Sequence, residues 1–458
     1  KPAKHDRRRT KSCSPPIMLC RLAARRCGDL RLRGAVHCRA ISSIADRSLT
    51  NLADAGLGAR VLFATDEWFA TADNLLQPHA PHFDSETFCT QGKVMDGWES
   101  RRRRLPGHDW ALLRLGLAGS VKRVEIDTAH FTGNQTPAVR VLAACIDAEE
   151  GEASRGGGEL PETAWLGPPR ADLGQRGSCA SADEIARARA AVEAKAEWCE
   201  LVPESRLRAG YVRGAASGVP DDGEVAEGNS VHLFEVPPEL ASRRVTHLLV
   251  DALPDGGIAR MRAWGTVARD FATELDAAAV GSLDLLSALN GARALGCSNR
   301  HYGEPSNLLR PGRGERMDHG WETARNPNRP AVLRQDPSSG LVDMPGASEW
   351  CVFRLAAVAG GIERLEIDTA HFRGNYPESC LVEVCDAPHA EVQDLLEGAV
   401  EWRPLLPRTR LGPDAIHAFE EELDSSAGRA THARVSIFPD GGIMRVRAFG
   451  RAVAPMPE

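Results

Sequence analysis

The sequence predicts a mainly β protein made of two tandem units. Three observations carry this: one motif occurs twice, short runs alternate apolar and polar residues, and Gly- and Pro-rich turns separate them. Val124–Asn134 reads VEIDTAHFTGN and Leu365–Asn375 reads LEIDTAHFRGN. Shared polar residues across eleven positions are more than a generic strand requires, so one unit is present in two copies. Two flanking pairs repeat in the same order. Asp96-Gly97-Trp98-Glu99-Ser100 matches His319-Gly320-Trp321-Glu322-Thr323, and Pro254–Ile258 matches Pro439–Ile443, both PDGGI. The copies are unevenly spaced, which places insertions in loops rather than in the cores.

The alternating runs define the elements. Ile443–Phe449 puts Met444, Val446 and Ala448 on one face and Arg445 and Arg447 on the other, and Ile258–Trp264 sets Met261 and Ala263 opposite Arg260 and Arg262. A period of two denotes a half-buried strand. The Asp-Gly-Gly before each run, following another alternating stretch (Arg434–Phe438 in the second copy), reads as a hairpin turn in which glycine supplies positive φ. Trp110–Leu115, Val139–Ala143, Trp350–Leu355 and Leu381–Cys385 read as further short strands, so each unit is expected to be an antiparallel sandwich. Helical signals are few. Ser181-Ala182-Asp183-Glu184 has the form of a capping box opening an Ala-rich stretch to about Ala196, and Ala390–Ala399 is its weaker counterpart.

The expected organisation is a basic disordered extension over 1–48, a first unit over 49–268, a linker over 269–283 and a second unit over 284–454. Gly156-Gly157-Gly158, Pro168-Pro169 and the polar, Gly-rich 214–230 mark loops confined to the first unit. Residues 1–48 hold 13 Lys or Arg against 3 Asp or Glu, whereas the whole chain carries a formal charge of −7. The extension fits a nucleic-acid-binding arm or a transit peptide, or simply disorder, while the acidic body argues against nucleic acid as the main partner. No apolar run approaches the roughly 18 residues that a membrane helix needs, and no signal with a long apolar centre opens the chain, so a soluble intracellular protein is expected. The 12 cysteines include no CxxC pair, a pattern of reduced thiols rather than of a disulfide frame or zinc site.

The duplicated polar residues are the candidates for chemistry. Asp127, His130 and Asn134 match Asp368, His371 and Asn375 at a strand end that runs into a Gly-containing loop, where side chains leave the core and meet at a cleft. The alternative is local: Asp127 and Thr128 bonding the N–H groups of their own turn. His232 and His247 recur as His417 and His432, but no spacing resembles HExxH or another compact ligand set, so no metal is assigned. Other positions diverge. Arg101-Arg102-Arg103-Arg104 becomes Ala324-Arg325-Asn326, and Asp66-Glu67-Trp68-Phe69 becomes Asn299-Arg300-His301-Tyr302, so the units are not equivalent. No GxGxxG, Walker loop or GxSxG elbow occurs in its required context, which leaves nucleotide cofactors and serine nucleophiles unsupported.

GARVLFATDEWF (Gly58–Phe69), Asn74-Leu75-Leu76, MDGWESRRRRLPGHDW (Met95–Trp110), VEIDTAHFTGN, LLPRTRLGP (Leu405–Pro413) and both PDGGI turns together resemble the allantoicase family, over roughly Leu49–Val453. Arg206–Asn229 departs from the LGP-containing pattern of the second unit. The resemblance implies two tandem jelly-roll units like galactose-binding domains, a homo-oligomer, and hydrolysis of allantoate to ureidoglycolate and urea in purine breakdown. Motifs and composition add the expectation of a cytoplasmic protein without a cofactor, with a divalent ion left open although the ligand spacing does not support one. Allantoate carries a carboxylate and two ureido groups on one carbon, and losing urea needs a proton on the leaving nitrogen and an activated water. That assigns His130 or His371 as acid–base group, Asp127 or Asp368 to orient it, and Glu99 or Glu322 to position water. Arg101 or Arg325 would hold the carboxylate, and Asn134 or Asn375 a ureido group. Two competing expectations come from the architecture. One is a non-catalytic carbohydrate-binding jelly roll stacking a sugar on Trp68 or Tyr302; the other is a purely structural oligomer.

Overall fold

The computed structural model describes residues 49–146, 165–168, 170–210, 230–269, 282–342 and 348–456. The basic extension, the Gly156–Gly158 loop, most of 214–230 and most of the linker lie outside the described residues.

Each unit is built on one long strand. In the first, β1 (Thr50–Asn51), β2 (Arg60–Ala64), β3 (Trp98–Glu99), β4 (Asp109–Asp127) and β5 (Ala138–Ala144) precede helix α1 (Ala182–Lys195). Then follow β6 (Cys199–Arg206), β7 (Val231–Glu235), β8 (Arg244–Leu253), β9 (Gly257–Ile258) and β10 (Arg260–Val267). The sheet runs β1-β10-β4-β8-β5-β6, with β2 and β7 also paired to β4. The beginning of β4 pairs with β8 and β2, its end with β10 and β7. One strand thus passes between the two layers of the sandwich. Its crossing needs Gly116 and Gly119: a Cβ on Gly116 would lie 2.6 Å from the Leu57 carbonyl oxygen, and one on Gly119 would lie 2.3 Å from that of Thr266.

The second unit repeats this plan. Its elements are β11 (Leu283–Asp284), β12 (Arg293–Cys297), β13 (Trp321–Glu322), β14 (Glu349–Asp368), β15 (Ser379–Cys385), α2 (Val392–Glu397), β16 (Arg403–Arg410), β17 (Ile416–Phe419), β18 (Ala430–Phe438), β19 (Gly442–Ile443) and β20 (Arg445–Pro455). The order is β11-β20-β14-β18-β15-β16, with β12 and β17 on β14. Met261, Ala263, Met444, Val446 and Ala448 are buried as their period requires. Gly256 and Gly441 turn at φ 119° and 133°, and Ser181 and Glu184 form the capping box of α1.

One expectation is corrected. The arginine face of the last strand is not solvated: Arg260 is 0% exposed and Arg445 only 6%. Residues 77–97 and 305–320 lie over these strands, and the two guanidiniums bond their carbonyl groups. The units are tied together by Arg310 of the second, which forms an ion pair with Asp54 at the head of a 3-10 turn of the first.

Candidate active site

The loop after each long strand is held in the same way. Asp127 accepts from the Ala129 N–H at 2.9 Å, and Asp368 from that of Ala370 at 2.8 Å. Thr128 and Thr369 direct their hydroxyls at the carbonyl oxygens of Arg208 and Gly412. The next residue, His130 or His371, takes the left-handed conformation at φ 69° or 68°. That is uncommon for a side-chain-bearing residue and marks a turn held from outside. The clamp is Phe131 or Phe372, fully buried so closely against Gly257 or Gly442 that a Cβ there would fall 2.1 or 2.0 Å from the ring. Burying such a ring contributes roughly 2–3 kcal/mol.

The histidines clip this loop to its neighbour. His130 Nε2 donates to the Pro81 carbonyl at 3.2 Å, with the ring stacked on Phe83, and His371 Nε2 donates to that of Gly314 at 2.9 Å. Neither is hydrogen-bonded to its aspartate: Asp127 caps the turn, and Asp368 also takes a bidentate ion pair from Arg313 at 2.9 Å. The expected Asp–His arrangement is therefore corrected to the local one, since the cap holds each carboxylate on its own backbone. His232 and His417 are equally structural. Each Nε2 accepts from a backbone N–H, of Arg208 or Gly412, while Nδ1 donates to Ile126 or Ile367. Among the described residues no group of three or more His, Cys, Asp or Glu side chains is placed to hold a metal ion.

The glutamate and asparagine of the motifs do converge. Asn134 Nδ2 donates to Glu99 at 2.6 Å, and Asn375 Nδ2 to Glu322 at 2.5 Å. Main-chain pairing sets the geometry: Glu99 lies opposite Gly257 in the β3–β9 ladder, and the Gly257 N–H donates to the Asn134 carbonyl. Burial pushes the Glu99 carboxyl above the usual range for a glutamate, opposed in part by the Asn134 hydrogen bond and the Arg176 charge. A carboxyl raised in this way is suited to carry a proton.

The surroundings of the two pairs differ. Beside Glu99, Arg101 forms an ion pair with Asp66 at 2.7 Å and lies over the Trp68 ring at 4.9 Å. Arg176 reaches Cys89 Sγ at 3.2 Å and holds that thiol below its ordinary range. Motif comparison missed Arg176 because its segment has no counterpart in the second unit. The available signal was GQRG, whose glycines Gly174 and Gly177 both turn at positive φ on either side of the half-buried arginine. In the second unit the main-chain bond from Arg101 to Asp66 is made by Ala324 to Asn299. Ala324, not Arg325, thus occupies the Arg101 position. Arg325 is exposed and makes no ion pair among the described residues, and Met317 sits against Asn375. The expected equivalence of Arg101 and Arg325 is off by one residue.

Two tandem jelly-roll sandwiches, each carrying a Glu–Asn pair at the corresponding loop, define a duplicated β-sandwich protein. The Allantoicase repeat matches residues 50–268 and 283–453, and the chain belongs to the allantoicase family. It is 34% identical to a probable allantoicase of Pseudomonas fluorescens over 90% of this chain and 98% of that protein. It is 36% identical to one of Stutzerimonas stutzeri over 88% and 96%. The crystal structure of the Saccharomyces cerevisiae allantoicase superposes with a TM-score of 0.60 at 30% identity, covering 89% of this chain and 95% of that one.

Proposed function

We propose that this chain hydrolyses allantoate to ureidoglycolate and urea, and that Glu99 and Asn134 of the first unit carry the reaction. The observation behind the site is the buried Glu99 carboxyl, raised by burial, bonded to Asn134 and acted on by the charge of Arg176, a residue without a counterpart in the second unit. Protonated Glu99 gives its proton to the departing ureido nitrogen while the other ureido nitrogen donates its lone pair to the central carbon, and urea leaves. The Glu99 carboxylate then takes a proton from water, whose oxygen bonds to that carbon. The acid is restored and ureidoglycolate is formed.

The side-chain amide of Asn134 spends an N–H on Glu99, which leaves its Oδ1 to accept from a ureido group. Arg101 and Arg176 supply guanidinium for the substrate carboxylate. Asp127, His130, Asp368 and His371 hold the two loops in place. Assembly into a homo-oligomer and residence in the cytoplasm belong to the same reading. Among the described residues no helix is long and apolar enough to cross a membrane. The test is incubation of the purified chain with allantoate and assay of urea and ureidoglycolate. Equimolar release supports the reading, and a protein that binds sugars but releases no urea refutes it.

A further inference from the structure

The duplication exposes a place where the second unit lacks a carboxylate that the first contains. Arg260 and its counterpart Arg445 make the same main-chain bonds: Nε to the carbonyl of His79 or Gly312, and Nη1 to those of Asp96 and Ala259, or of His319 and Met444. The remaining nitrogen differs. Arg260 Nη2 donates to the Asp96 carboxylate at 2.7 Å and lies 3.3 Å from His79 Nδ1. In the second unit Asp96 is replaced by His319, whose Nδ1 accepts from the Glu315 N–H, and His79 is replaced by Gly312.

A cavity of about 200 Å³ opens there, lined by Gly312, Arg313, Glu366, Asp368, Ile416, Arg445 and Arg447. Arg313 is paired with Asp368 and Arg447 with Asp284, whereas Arg445, among the described residues, bonds only carbonyl oxygens. Burial, with the Arg447 and Arg310 charges, brings Arg445 down to about 10, as expected for a desolvated cation short of a counter-ion. Asp368 is its cross-strand neighbour but spends its oxygens on Arg313 and the Ala370 N–H. Glu366 is paired with Arg364 outside the wall, so of the three guanidiniums lining the cavity Arg445 is the one without an ion-pair partner among the described residues.

We infer that this cavity is a binding site for a small carboxylate, whose oxygens take on Arg445 the place that Asp96 takes on Arg260. The site is separate from Glu99 and Asn134 and stands whether or not that pair is catalytic. The ligand is a monocarboxylate of a few heavy atoms, from one of two sources: allantoate itself, or an unrelated metabolite acid.

Calorimetric titration of the full chain with sodium acetate, at constant ionic strength against sodium chloride, reads the site directly. Saturable acetate binding is expected in the wild type and in Glu99→Gln. In His319→Asp, which supplies the internal carboxylate found in the first unit, binding weakens at least tenfold. That variant adds a pairing rather than removing a buried group; a circular-dichroism melt at or above the wild-type temperature confirms that it is folded. Acetate heats matching those of chloride, or acetate affinity unchanged in His319→Asp, overturn the inference. Displacement of acetate by allantoate in Glu99→Gln identifies the substrate as an occupant, and acetate binding that allantoate leaves intact identifies an unrelated acid.

Discussion

In the first unit the Asn134 amide donates to the Glu99 carboxylate at 2.6 Å, and in the second Asn375 donates to Glu322 at 2.5 Å; the pair was duplicated while its surroundings diverged. Of the two glutamates, Glu99 is buried and feels the Arg176 charge, whereas Glu322 is only half-buried. From this inequality follow outcomes that separate a working site from its relic.

Glu99 should limit stability as well as carry a proton. Its folded-state pKa lies above the unfolded value, so the folded chain binds the extra proton; stability is full below the usual 4.5 and declines as pH rises through the folded value. Glu99→Gln keeps an acceptor for Asn134 and removes the charge. It is expected to raise the free energy of unfolding at pH 8 and to change it little at pH 4. Thermal melts at the two pH values check this, and a loss of stability at pH 8 would contradict it.

Arg176 faces two groups, and its removal should register at both. Without that cation both Glu99 and the Cys89 thiol titrate higher. Arg176→Ala is expected to slow iodoacetamide labelling of Cys89 at neutral pH several-fold and to raise the KM for allantoate about tenfold. Labelling followed by mass spectrometry, beside urea-release kinetics, separates the two effects.

His247 and His432 should govern acid sensitivity. Each is buried, with Nδ1 against a threonine hydroxyl, and burial, aided by Arg114 and Arg60 or by Arg354 and Arg293, pushes each down to about 4. The unfolded chain takes up their protons first, so stability is full above about 6.5 and is lost as pH falls towards 4, by at most about 3 kcal/mol for each. His432→Gln is expected to flatten the dependence of Tm on pH across that window. An unchanged slope would show that other groups dominate acid unfolding.

The ion pair from Arg310 to Asp54 should couple the units. Both side chains are largely buried, so Arg310→Ala strands a carboxylate at the head of a helical turn and is expected to cost about 2 kcal/mol. The double variant with Asp54→Ser, the residue found at the corresponding Ser287 cap, should recover part of that loss. Denaturant titration of the single and double variants measures the coupling.

Much of the fold was legible because it is written twice. The alternation in Met261–Ala263 and Met444–Ala448 and the glycines of both PDGGI turns specify strand and hairpin locally, and their repetition gave the tandem plan. Glu99 and Asn134 were legible for the same reason. Arg260 and Arg445 were not: period two separates the faces of a strand but does not report a third segment lying over the outer one. Arg176 has no twin, and pairing Arg101 with Arg325 departed from the register of the flanking motif, which sets Arg101 on Ala324 as the bond from Ala324 to Asn299 shows. The histidines drew attention through repetition, yet their repeated task is to fasten loops.

The sharpest test sets Glu99→Gln beside Glu322→Gln in one urea-release assay, with circular dichroism confirming that both are folded. Loss of the acid should lower turnover by a factor on the order of 100 or more in Glu99→Gln and leave Glu322→Gln within about twofold of wild type. Full turnover in Glu99→Gln, or an equal collapse in both, would contradict a single working site in the first unit.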